Sequence, residues 1–185
     1  MGKQHKKHNR REHLNDFHLN VAGEYVYDGA LYACQSDDAK QHRIKRAVLG
    51  MAAILIVAVI AGGCIPAPGM QNCFYVLLPY LGEFLGAGSV IWALAKLGMD
   101  WGTVREYNYK KSVAVLPVRT AVTAVFSLLG IVCELIFFFV NDHAGQTFFA
   151  LLYVLLKLTA LLSALVLRAE IMQAEWDKLP KKDNF

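Results

Sequence analysis

Between Arg46 and Glu83 the chain carries no charged residue. A run that long has no polar face to turn toward water. The rest of the sequence repeats the pattern. Of its 19 basic and 15 acidic residues, only 7 fall within residues 47–97 and 113–168, which together span 107 positions. Apolar residues make up 56% and charged residues 18%, against a usual ~45–50% and ~25%. That balance excludes a disordered chain and a collagen-like or disulfide-dense secreted one. It argues against a soluble globular domain and points to the bilayer.

A membrane helix needs ~20 mostly apolar residues. Four stretches qualify, at about residues 46–65, 74–97, 115–140 and 147–168. Barrel strands need only ~9–11 residues with strict alternation, and no alternation is visible. A helix satisfies its own backbone hydrogen bonds in lipid. The expected fold is therefore an all-α membrane protein, a four-transmembrane-helix bundle over residues 46–168. The Gly82-x-x-x-Gly86 spacing, and Ala58 with Gly62, suit close helix contact. Pro79 is expected to kink the second span. Pro117 sits in the first turn of the third, where it is harmless.

Lys and Arg set orientation. Nine precede the first span, and the loops at 66–73 and 141–146 have none. The loop at 98–114 has Arg105, Lys110 and Lys111, and the tail has Lys178, Lys181 and Lys182. Every second segment is basic, so both termini are expected in the cytoplasm of a cell with the protein in its inner or plasma membrane. The Ala61-Gly62-Gly63-Cys64 stretch has the outline of a lipoprotein signal. The ~46 residues before it are too long for a signal's basic region.

Residues 1–20 are basic and polar without apolar periodicity, which predicts a disordered tail. His5, His8, His13 and His18 lack a ligand scaffold and companion cysteines, so no metal is expected. No cofactor motif occurs either. The basic residues lack interleaved aromatics. They are read as attraction to anionic lipid headgroups rather than to nucleic acid. In the 21–45 segment, Asp28-Gly29 lies between Tyr25-Val26-Tyr27 and Ala30-Leu31-Tyr32. That pattern predicts a short cytoplasmic N-terminal β-hairpin, resting on the membrane surface, the 98–114 loop or a partner, since an isolated hairpin is marginal. Ser36-Asp37-Asp38 predicts a helix start, with Ser36 as cap, and a juxtamembrane helix running into the first span. Residues 169–185 form a cytoplasmic tail.

Four ionisable side chains fall inside the spans. Arg119 lies ~5 Å from the cytoplasmic end at 1.5 Å per residue, within snorkelling reach of the headgroups, and is expected to be an interfacial anchor. Glu134 lies ~9 Å from the outer end, and Glu83 and Lys157 lie ~14–15 Å deep. A central charge costs ~2.5–3.5 kcal/mol on insertion scales, so these three face the bundle and form an intramembrane charge cluster. Lys157 can pair with either acid. The stripe Thr120, Thr123, Ser127, Gly130 and Glu134 recurs at helical spacing. So do Tyr153, Lys157, Ala160 and Ala164, and Glu83, Gly86, Ala87 and Val90.

Cys64 and Cys73 bracket the first outer loop, on the oxidising side, and are a possible disulfide. Four spans and one loop pair of cysteines resemble the four-helix membrane thiol oxidoreductases, the vitamin K epoxide reductase and quinone-linked disulfide-forming families. Their Cys-x-x-Cys is missing, and Cys133 has no near partner. Three functions follow. The first is a small non-enzymatic accessory or structural membrane protein, working through a protein partner or a second copy of itself. The second is a transporter or channel subunit for protons, ions or a small polar solute, using Glu83, Glu134 and Lys157. The third is a thiol–disulfide oxidoreductase using Cys64 and Cys73.

Overall fold

The computed structural model describes residues 17–19, 23, 25–27, 29–98, 101–141 and 146–179. The basic tail through residue 16, Asp28, Asp142, His143, Lys181 and Lys182 lie outside the described residues.

Six helices are described: α1 (Asp38–Cys64), α2 (Pro68–Asn72), α3 (Phe74–Leu97), α4 (Glu106–Lys111), α5 (Leu116–Val140) and α6 (Thr147–Met172). Four helical segments are long and apolar enough to cross a membrane: α1, α3, α5 with α4 leading into it, and α6. The four long helices have 24 to 27 residues each. At 1.5 Å per residue they reach ~36–40 Å, more than the ~30 Å hydrocarbon core. Their outward faces leave Val57, Leu85, Val118, Phe139, Leu151 and Leu162 exposed. Apolar exposure on that scale marks a surface solvated by lipid. The chain is a polytopic membrane protein.

Local sequence explains the helix ends. Pro117 occupies the first turn of α5, where its missing N–H costs nothing. Gly98 ends α3 with φ 71°, a left-handed conformation that favours glycine. Helix α3 runs through Pro79 without a break. Helix α1 does extend the first span backward into the juxtamembrane segment, as expected, but its cap differs. Asp37 holds the N-cap position without a side-chain bond, and the Ser36 hydroxyl has no partner.

The helices do not pack as two simple hairpins. Helix α5 packs on α6, α1 packs chiefly on α6, and α3 packs chiefly on α5, with a lighter α1–α3 contact. Helices α3 and α6 are not packed neighbours. They sit across the bundle from each other. Glycines explain the α3–α5 pairing. A Cβ at Gly82 would meet the Phe126 ring, and one at Gly86 would lie 2.6 Å from Thr123 Oγ1. Both positions must be small for α5 to approach. Gly62 faces open space, so the Ala58–Gly62 pair expected to support contact is not constrained there. The middle of the bundle is filled by small residues around Leu55 and Val59: Ala58, Ala87, Ala124, Ala160 and Ala164.

Five short strands are described: β1 (Phe17–Leu19), β2 (Tyr25–Tyr27), β3 (Leu31–Cys34), β4 (Thr103–Arg105) and β5 (Trp176–Lys178). The hairpin expected across Asp28-Gly29 is corrected here. Strand β2 pairs antiparallel with β1, with Tyr25 opposite Leu19. Strand β3 turns instead to β4 and β5 and becomes the centre of a three-stranded antiparallel sheet. Tyr32 sits opposite both Val104 and Lys178. Its ring stacks on Tyr109 at 4.1 Å and 1°, and Trp176 closes on Tyr109 at 6.0 Å. Two neighbours and an aromatic stack outweigh a two-residue turn signal. The sheet sits on the end of the bundle where Ile44, Leu97, Trp101, Val104, Leu116 and Ile171 form a second core.

Candidate functional site

The polar stripes of α3, α5 and α6 all turn inward. Glu83, Thr120, Thr123, Ser127, Glu134 and Lys157 are each at most 1% exposed. These are the costliest side chains to take out of water, so each needs a partner.

Lys157 of α6 forms an ion pair with Glu83 of α3, its Nζ donating to Oε2. The pair spans the bundle between two helices that are otherwise not neighbours. Ser127 of α5 donates its hydroxyl to the other oxygen, Glu83 Oε1, at 2.6 Å. Both carboxylate oxygens therefore have donors. The ammonium also lies 4.5 Å from the Tyr80 ring centroid and 5.0 Å from that of Tyr153, within cation–π range. Gly130 of α5 lies beside the lysine stem, where a Cβ would make an ordinary contact of 3.6 Å with Lys157 Cε. Buried charge survives when it is paired and its remaining bonding capacity is filled. Here one residue from each of three helices meets that condition, with two aromatic faces around the cation.

Glu134 is not part of this pair. It sits one or two turns nearer the end opposite the sheet, beneath α2. Its Oε1 accepts the Gly69 N–H at 3.4 Å. Its Oε2 lies against the Gly69 backbone, where a Cβ would collide with it, and has no hydrogen-bond partner. The Tyr153 hydroxyl is also buried without a partner. A Cβ on Gly130, one turn from Glu134 on α5, would come within 3.9 Å of that hydroxyl. Between α5 and α6 lies a cleft of about 220 Å³. Glu134 lines it with Leu135, Phe138, Thr147, Ala150 and Leu151, among others.

Arg119 is half-buried and donates to the Ser89 carbonyl of α3 at 2.6 Å. Arg168 does the same to the Pro117 carbonyl at 2.5 Å. Both bonds lie toward the sheet end and join neighbouring elements. The structure has Cys64 and Cys73 as free thiols, one exposed and one half-buried. No cluster of metal-ligating side chains occurs among the described residues.

The sequence pattern missed Tyr80 and Gly69. Tyr80 lies three residues before Glu83, one helical turn away, a spacing that could have flagged it. Gly69 had no signal beyond its place in a Pro-Gly turn. No protein-family model, curated protein or solved structure matches this chain.

Proposed function

We propose that this protein is a non-enzymatic structural or partner-binding component of a cell (inner or plasma) membrane, with both termini in the cytoplasm. The Glu83–Lys157 tie carries the reading. It joins opposite corners of the bundle, is closed to solvent, and has its carboxylate satisfied by the protein itself. A transport path needs a charge that solute can reach. This charge is used as a fastener.

The sheet supports the topology. Between β3 and β4 the chain makes two passes, α1 and α3, and between β4 and β5 two more, α5 and α6. Strands that hydrogen-bond must share a side of the membrane, and even crossings allow it. The basic residues of these segments favour the cytoplasmic side. Arg43, Lys45 and Arg46 in the juxtamembrane turns of α1, with Lys110 and Lys111 of α4, suit anionic headgroups there. The sheet is the face we assign to a protein partner or a second copy.

Reconstitution tests the reading. In liposomes loaded with a pH-sensitive dye, the wild-type protein is expected to leave an imposed proton gradient intact. In detergent, Glu83→Gln and Lys157→Met are each expected to lower the unfolding midpoint. Gradient collapse in the wild type that Glu83→Gln abolishes, with the fold retained, overturns it. The transporter reading keeps one observation of its own: Glu134 Oε2 and the Tyr153 hydroxyl are buried without partners.

A further inference from the structure

Two cations near the sheet end of the bundle have no countercharge. Arg43 has Glu170 beside it and Lys110 has Glu106. Arg119 of α5 and Lys96 of α3 pair with no acid. Arg119 commits one N–H, at Nη1, to the Ser89 carbonyl. A guanidinium carries five such donors, so most of its bonding capacity is left over. The bond draws the head of Arg119 across from α5 onto α3. There Ser89 is followed by Trp92 and Lys96, at steps of three and four residues, the spacing of one helical stripe. Lys96 Nζ lies 5.2 Å from the Trp92 ring centroid, so the lysine bends back along the helix toward Ser89. Trp92 is 62% exposed, and Lys96 is exposed as well. One turn deeper, Gly88 is exposed, and a Cβ there would meet nothing within 4 Å. The seam between α3 and α5 thus presents two unpaired cations, an indole and a bare strip of backbone.

We propose that this seam binds one anionic phospholipid. Its phosphate lies between Arg119 and Lys96, its glycerol against Trp92, and an acyl chain along the strip at Gly88 and Leu85. Charge complementarity selects the headgroup. Planar guanidinium donors match phosphate oxygens. A zwitterionic headgroup brings an ammonium of its own, which two neighbouring cations repel. The depth also fits. Arg119 lies ~5 Å inside α5, within snorkelling reach of the headgroups, and tryptophan favours that layer. A basic belt attracts many headgroups diffusely, whereas this seam holds a single lipid. The inference deepens the structural reading by naming a partner, and rests on it for the leaflet, the cytoplasmic one, where anionic lipids gather.

The test is native mass spectrometry of the full-length protein in detergent micelles, titrated with dioleoylphosphatidylglycerol or dioleoylphosphatidylcholine. Wild type is expected to bind the first phosphatidylglycerol at least tenfold more tightly than phosphatidylcholine. Arg119→Gln is expected to bring that preference to within twofold. Lys96→Glu, on the exposed face, is expected to do the same. The Lys110→Gln, Lys111→Gln double variant, outside the seam, is expected to keep it. Glycerol 3-phosphate, a headgroup without chains, is expected not to displace the lipid at millimolar concentration. Equal binding of the two lipids by wild type overturns the inference. So does a preference that persists in Arg119→Gln, or in Lys96→Glu should Arg119→Gln fail to fold. Loss of the preference in the double variant assigns it to the diffuse belt, and displacement by glycerol 3-phosphate assigns the site to a soluble anion; each overturns the inference. Micelles have no leaflets, so failure here leaves the topology and the Glu83–Lys157 tie standing.

Discussion

Lys157 and Glu83 are bonded across the bundle although their helices, α6 and α3, are not packed neighbours. Small residues bring each helix close to the one beside it. Lys157 joins the two opposite corners, by its bond to Glu83 and its contact with the Tyr80 ring. Removing one partner leaves the other charge buried and alone, which costs ~3–5 kcal/mol for a buried pair. Glu83→Gln and Lys157→Met should each destabilise by about that much. The Glu83→Leu, Lys157→Met double variant should recover most of it. A denaturant titration in micelles, arranged as a double-mutant cycle, measures the coupling.

Ser127 has a smaller share. Its hydroxyl bond to Glu83 Oε1 is charge-assisted. Such bonds contribute ~1.5–3 kcal/mol in soluble proteins, while side-chain bonds between membrane helices average ~0.6 kcal/mol. Ser127→Ala should fall between those limits. In the Glu83→Leu, Lys157→Met background its effect should shrink toward zero, which the same unfolding assay reads.

The α3–α5 contact gives a paired prediction on glycines. Gly86→Ala places a methyl against Thr123 and should cost ~1–3 kcal/mol, the range for overpacking. Gly62→Ala meets open space and should be neutral or stabilising by up to ~1 kcal/mol, from helix propensity alone. Midpoints measured in one detergent decide both. Equal effects would mean that α3 and α5 are not in close contact.

Topology is open to chemical labelling. In a variant whose sole cysteine is Cys64, which is exposed at the end of α1, a membrane-impermeant maleimide should react from the outside of intact cells. With the native cysteines replaced and Lys178→Cys introduced in β5, which is exposed, reaction should occur only after the membrane is opened.

The aromatic stack is the test of the sheet. Tyr32→Ala removes the ring lying on Tyr109 and should cost ~0.5–1.5 kcal/mol beyond lost area. Hydrogen exchange should accelerate at β3, β4 and β5 while α3 and α5 keep their protection.

How legible was this in the sequence? The four long helices were plain, because lipid makes length and apolarity nearly sufficient to define them. The inward direction of Glu83, Ser127 and Lys157 was also readable, since helical spacing and desolvation cost act locally. Which acid Lys157 takes was not. Depth set Glu83 level with Lys157 and Glu134 one turn nearer the outside, both within reach of a lysine, and the choice depends on α3 and α6 facing each other across the bundle. The sheet was hidden for another reason. Strands β3, β4 and β5 have only 3 or 4 residues each and lie far apart in the chain. Nothing within any one of them names its neighbours, so the local Asp28-Gly29 signal pointed to a pairing that Thr103–Arg105 and Trp176–Lys178 displace. The place of Gly69 over Glu134 is a tertiary fact of the same kind.

The sheet also dictates an order of events during synthesis. Its central strand, Leu31–Cys34, leaves the ribosome before any span, and its last partner, Trp176–Lys178, only after all four. Until then β3 has one edge bare, and the aromatic stack lacks Trp176. Closure therefore reports that every span has been inserted with the right parity. A nascent chain that skips or reverses one crossing strands β5 on the wrong side and leaves that edge open for quality control to find.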